Sequence, residues 1–153
     1  MSDLIKILRT KEFDPTKVLR CRSNEHLEVL EHGTSVMEIS LRRIVRVTIP
    51  NSGDGFNREA FNGLKARGYL GLDIEMLDFL KKNHRSELQR FKTDAIPAWG
   101  TMLRLQPDCS DIYPVLCCHN GTWFWSIEHL NLGTNPDLYP KVSTLCIDTR
   151  EVS

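Results

Sequence analysis

Cys117, Cys118 and His119 stand directly before an Asn120-Gly121 pair, and Trp123, Phe124 and Trp125 follow it two positions on. Thiolate and imidazole are the ligands zinc prefers, and a thiol beside an imidazole is the pair a nucleophilic enzyme uses. Spacing decides between these chemistries and plain structure. Tetrahedral zinc is usually held by close pairs such as C-x-x-C, whereas adjacent Cys117 and Cys118 point to opposite faces of a strand; Cys109, His129 and Cys146 are the further donors that could approach. Cys117 and His119 share a strand face, but positions two apart on a strand are separated by about 7 Å at the base, and no helix N-terminus is evident beside them to stabilise a thiolate. The stretch is therefore expected to supply no catalytic residue, no metal site and no cofactor. Asn120-Gly121-Thr122 also has the N-x-T form of a glycosylation acceptor, which is without consequence for a chain expected in the cytoplasm.

Two other histidines open H-x-[TS] triplets, His32-Gly33-Thr34 and His84-Arg85-Ser86. In letters this pair resembles the two motifs of the 2H phosphoesterase family, over six residues. The resemblance implies an enzyme in which His32 and His84 act as acid and base on a phosphodiester, and such chemistry requires both to converge on one phosphate. That family sets both motifs on strands between apolar residues, whereas here Glu31 precedes His32 in an expected turn and His84 falls on an expected helix face.

Cations offer a third chemistry. Lys81, Arg85 and Lys92 lie along one side of a predicted helix with Lys82 beside them, and Arg42 and Arg46 lie on the polar face of a predicted strand. Together they would suit RNA or another phosphate-bearing partner. The whole chain, however, balances 20 Lys and Arg against 20 Asp and Glu, which argues against a dedicated nucleic-acid binder. The balance is uneven along the chain: residues 1–92 hold 17 basic and 13 acidic groups (+4), and residues 93–153 hold 3 and 7 (−4). A basic and an acidic face leave room for head-to-tail self-association.

The elements that must position these residues follow from periodicity. Leu4, Ile5, Ile7 and Leu8 predict a short helix over 3–13 capped by Ser2 or Asp3, ended by Asp14-Pro15-Thr16. Alternation predicts a strand from Glu25, a turn at His32 to Ser35, and a long strand from Met37 to Ile49 in which Arg43 interrupts the apolar set, by pairing, by lying past the core or by a bulge. A loop over 50–57 leads to a helix over 58–67. A longer helix follows Asp73, with Ile74, Leu77, Leu80, His84, Leu88 and Phe91 inward and Asp78, Lys81, Lys82, Arg85, Gln89 and Lys92 outward. Met102, Leu103 and Leu105 begin a strand-rich region that ends with a strand over 142–147. Asn-Gly favours a two-residue type I′ turn, so His119 should face Thr122, Cys118 face Trp123, Cys117 face Phe124 and Leu116 face Trp125. Both hairpin faces are then apolar, which places the hairpin at the centre of a sheet. The fold expected is α+β, a mostly antiparallel sheet with helices packed on one face, in a single compact domain spanning 1–153.

At 153 residues, 41% hydrophobic and 26% charged, the composition is that of a soluble globular protein. The N-terminal stretch lacks the long apolar core and small-residue cleavage site of a secretory leader, and no apolar run approaches the roughly 18–20 residues of a membrane span. Five cysteines, an odd number, are read as small buried side chains in a reducing cytoplasm: Cys21, Cys109, Cys117, Cys118 and Cys146. With no phosphate loop, nucleophile elbow or metal spacing, elimination favours a non-enzymatic protein that binds another protein or itself, as an inhibitor, adaptor or assembly subunit. The binding residues expected are Trp123, Trp125 and Phe124, with Lys81, Arg85, Lys92, Arg42 and Arg46 for the anionic alternative.

Overall fold

The computed structural model describes residues 4–6, 14–19, 24–32, 38–50, 58–91, 93–107, 109–129 and 141–150. Strands dominate: β1 (Leu4–Lys6), β2 (His26–Glu31), β3 (Glu38–Ser40), β4 (Ile44–Pro50), β5 (Tyr69–Gly71), β6 (Ala95–Pro97), β7 (Met102–Gln106), β8 (Ser110–His119), β9 (Thr122–His129) and β10 (Lys141–Asp148). Among the described residues four helices accompany them, α1 (Pro15–Val18), α2 (Arg58–Ala66), α3 (Ile74–Asn83) and α4 (Arg85–Gln89), giving an α+β fold in which every described strand pair is antiparallel.

The predicted N-terminal helix is corrected at once, because Leu4–Lys6 is a strand paired with β3; its proposed caps Ser2 and Asp3 and residues 7–13 lie outside the described residues. The long strand expected up to Ile49 is interrupted where Arg43 breaks its pattern. Leu41–Arg43 forms a 3-10 turn, and the Arg43 guanidinium donates to the carbonyls of Asp148 at 3.2 Å and Arg150 at 2.9 Å. The helix expected to run through to Phe91 is likewise two helices. His84 leaves the helical region with φ −138 and ψ 45, and α4 restarts at Arg85. At its other end α3 is capped as expected, Asp73 accepting from the Met76 amide at 3.0 Å.

In the larger sheet β8 is central, with β9 on one side and β7, then β2, on the other. β6 pairs with β8 on the same side as β7, so 95–106 runs along β8 as one interrupted strand. The interruption is a wide bulge: from Pro97 to Leu103 the chain advances six residues while β8 advances three, from Val115 to Ile112. Trp99, Gly100 and Thr101 occupy it, and they join this sheet to the three-stranded sheet β4-β10-β5. The Gly100 amide donates to the Leu72 carbonyl at 2.9 Å, and Thr101 Oγ1 accepts from the Ile74 amide at 3.0 Å. A Cβ on Gly71 would lie 2.5 Å from the Gly100 nitrogen, and one on Gly100 would lie 2.6 Å from the Gly71 oxygen, so the chains cross there because both residues lack one.

Neighbouring residues of a strand face opposite ways, and this locates the helices. Phe61 and Leu64 of α2 cluster with Tyr113 and Val115 of β8 and Cys146 of β10. Leu77 and Leu80 of α3 and Leu88 of α4 cluster with Leu116 of β8 and Leu145 and Ile147 of β10. The helices therefore take opposite faces of β8 and β10, which corrects the expectation that they share one. Each helix has a single apolar stripe, and periodicity alone cannot say which side of a sheet receives it.

The C-terminal end of β10 carries an ordered charge cluster. Arg150 Nε lies 2.9 Å from Asp148 Oδ1, its Nη2 donates to the Tyr69 hydroxyl at 2.8 Å, and its guanidinium sits 4.7 Å from the Tyr69 ring centroid. The Arg150 hydrogen bonds hold the Asp148 carboxyl at about 2, against an ordinary 3.8. A lowered folded-state value means that the ionised Asp148 supports this contact above its ordinary range, and the contribution is lost as pH falls through about 2. In a carbon-detected NMR titration Asp148 should remain ionised through pH 3, and Arg150→Gln should return its midpoint towards 3.8. A wild-type midpoint at the ordinary value would mean the pair does not form in solution.

Candidate functional site

The hairpin fulfils its predicted register at every position, from His119 opposite Thr122 to Leu116 opposite Trp125 and on to Ile112 opposite His129. Asn120 and Gly121 have φ of 50° and 79°, the positive values the type I′ turn requires. Its placement differs from expectation, since β8 is central but β9, among the described residues, pairs with β8 alone.

A two-residue turn makes its flanking residues a hydrogen-bonded pair, and such pairs then alternate. His119/Thr122, Cys117/Phe124, Val115/Ser126 and Tyr113/Glu128 exchange bonds between β8 and β9. The even-numbered residues of β8 turn their backbone groups the other way, as the Cys118 amide does to the Asp94 carbonyl and the Pro114 carbonyl does to the Ala98 amide, both at 2.8 Å. By the same alternation Trp123, Trp125 and Ile127 direct their N–H and C=O groups away from β8, along the open edge of β9.

Beside this edge lies a cleft of about 520 Å³, lined by Val18, Leu19, Lys81 and the run Trp123 to Ile127. α1 brings Val18 and Leu19 there because Asp14 caps it, accepting from the Thr16 amide at 3.0 Å, and because Leu19 is buried with Ile74, Leu103 and Ile112. Lys81 comes from α3. Trp123 is only 5% exposed and belongs to the core under α3, and its indole nitrogen has no hydrogen-bond partner among the described residues. Trp125 is half-buried and donates from Nε1 to Asp78 Oδ1 at 3.2 Å. Phe124, on the opposite face, is 45% exposed. The three aromatics thus divide into a core residue, a tethered wall and a free surface ring.

Asp78 was missed as part of this site. It is expected on the outer face of α3 but is buried, with Lys82 Nζ 2.8 Å from Oδ2. The signal was present, since Asp78 follows Ile74 by four residues and so shares its face. Val18 and Leu19 were also missed; an apolar pair just after a Pro-started turn was the available cue.

The other candidate residues do not assemble. His32 Nδ1 lies 3.0 Å from Thr101 Oγ1, which is bonded to the first residue of α3, while His84 is the C-cap of the same helix, its ring 5.7 Å from that of Phe79. Ten helical residues separate those ends by about 15 Å, so His32 and His84 do not converge on one phosphate. Gly33 and Thr34 lie outside the described residues. The basic stripe is broken with the helix: Lys81 faces the cleft, Arg85 is exposed on α4, and Lys92 lies outside the described residues. Arg46 donates to the Phe91 carbonyl, and Arg42 is exposed in the 3-10 turn.

Burial raises the Cys117 thiol, with Glu128 adding to it, and raises Cys146 to about 12, the reverse of what a thiolate nucleophile needs. Of the four cysteines among the described residues only Cys146 is fully buried; Cys117 and Cys118 are half-buried and Cys109 is exposed, all four as free thiols. Among the described residues no three His, Cys, Asp or Glu side chains gather where a metal ion could be held. Cys21 and the His129 side chain lie outside them. No helix among the described residues is long and apolar enough to cross a membrane. No family model, curated protein or solved structure matches this chain.

Proposed function

We propose that this is a non-enzymatic binding protein that docks another polypeptide along β9, acting in the cytoplasm as a single domain and serving as an inhibitor, adaptor or assembly subunit. The observation that carries the reading is the β9 edge, unpaired among the described residues, with the exposed Phe124 ring and the aromatic cleft beside it. An open edge offers main-chain hydrogen bonds to an extended chain, and side pockets supply selectivity. The scattered cations and separated histidines give neither phosphate binding nor phosphodiester chemistry a comparable surface. The cytoplasmic reading is supported by the free thiols.

Eight-residue peptides displayed on phage and selected on the immobilised protein test it. Selected peptides should bind wild type at least tenfold more tightly than Phe124→Lys, with the fold of the variant unchanged by circular dichroism. Peptides indifferent to Phe124→Lys would place binding elsewhere and end the reading.

A further inference from the structure

Not every open edge invites a partner, and the edges of this fold differ in how they are guarded. Natural sheets blunt exposed edges with charges, proline, bulges or very short strands. β2 carries Glu28 and Glu31 and a register shift between Val29 and Glu31. β4 carries Arg46 and ends in Pro50, and β5 and β6 are three residues each. β9 has none of these devices from Thr122 to Ile127, its first charge being Glu128. Among the described residues it is the long, unguarded edge, and its sequence is suited to a particular occupant.

We infer that the occupant of β9 is a second copy of this chain, the two β9 strands pairing antiparallel about a twofold axis at Trp125; this rests on the reading of β9 as a docking edge. Outward backbone groups belong to Trp123, Trp125 and Ile127, evenly placed about that axis. The axis sets Trp125 opposite Trp125 of the second copy and Trp123 opposite its Ile127, each a hydrogen-bonded pair. Phe124 then faces Ser126 of the copy, and Thr122 faces its Glu128, so no like charges stand opposite each other. The two Phe124 rings become diagonal neighbours, about 7–8 Å apart at the backbone and within aromatic reach, so the exposed ring of each copy is covered by its twin. A shift of one outward pair away from the turn would set Phe124 against Glu128 of the copy, and one towards the turn would set Phe124 against Phe124 but bring Ile127 opposite Gly121 of the turn, leaving it no strand partner. The surface joined is the same on both copies, as a closed dimer requires.

This pairing does not draw on the +4 and −4 division of the chain, so it should survive high salt, unlike head-to-tail charge pairing. Sedimentation velocity across concentration and ionic strength, with an isotope-filtered NOE experiment on mixed labelled and unlabelled protein, tests it. Expected is a dimer at low and high salt, lost in Phe124→Lys, with an intermolecular contact between Phe124 Hα and Ser126 Hα; these face each other across the pair and are two residues apart within one chain. A monomer at all concentrations, a dimer dissolved by salt, or a dimer lacking that contact overturns the inference. Selected peptides that still require Phe124 would then leave the docking reading standing without self-pairing.

Discussion

Replacing Trp99 with Ala is expected to remove about 3–5 kcal/mol of stability, the range for truncating a buried tryptophan. The residue is 1% exposed, stacks on Phe61 at 5.0 Å with planes 3° apart, and lies in the bulge that joins the two larger sheets. Its loss empties space against Gly71, whose missing Cβ would otherwise lie 2.5 Å from the Trp99 ring, and glycine has no side chain with which to fill it. Phe61 would keep its edge-on contact with Tyr113 at 5.6 Å, so α2 should loosen and stay attached. Urea denaturation with an unchanged m-value is the check. A loss under 1 kcal/mol would show that the bulge is not the joint described above.

The second large effect separates fold from function within one strand. Trp123→Ala should also cost about 3–5 kcal/mol, whereas Phe124→Ala should change stability by no more than about 0.5 kcal/mol. Trp123 is 5% exposed within the core under α3, and Phe124 is 45% exposed on the other face. Among the described residues the Trp123 indole nitrogen has no hydrogen-bond partner, so the cost of truncation comes from lost packing and not from a broken hydrogen bond. Paired denaturation curves of the two variants, taken in dilute monomeric protein so that association adds nothing, measure the contrast. Equal losses would mean that both faces of β9 are core and that no free aromatic remains for a partner.

Where local chemistry determines geometry, the fold was legible. Asn120-Gly121 set the hairpin register residue by residue, and Asp73 marked the start of α3, because a turn type and a cap each involve only neighbours in sequence. Arg43 marked a real interruption for the same reason, an arginine having no place in an apolar face. The break at His84 was hidden by the helix-forming residues around it and by an apolar spacing that continues through Leu88. Leu4-Ile5 reads equally well in a helix or a strand, and pairing with β3 settled it. Least legible was the site itself. A hairpin apolar on both faces looks central from sequence, and whether a strand has one neighbour or two depends on residues far along the chain.

Amide hydrogen exchange along β9, measured by NMR in dilute monomeric protein, tests the open edge most directly. Alternation is expected: Phe124, Ser126 and Glu128, bonded to β8, exchange slowly, while Trp123, Trp125 and Ile127 exchange quickly. Slow exchange at all six positions would mean that the outer edge of β9 is already paired within its own chain, and docking along it would be contradicted.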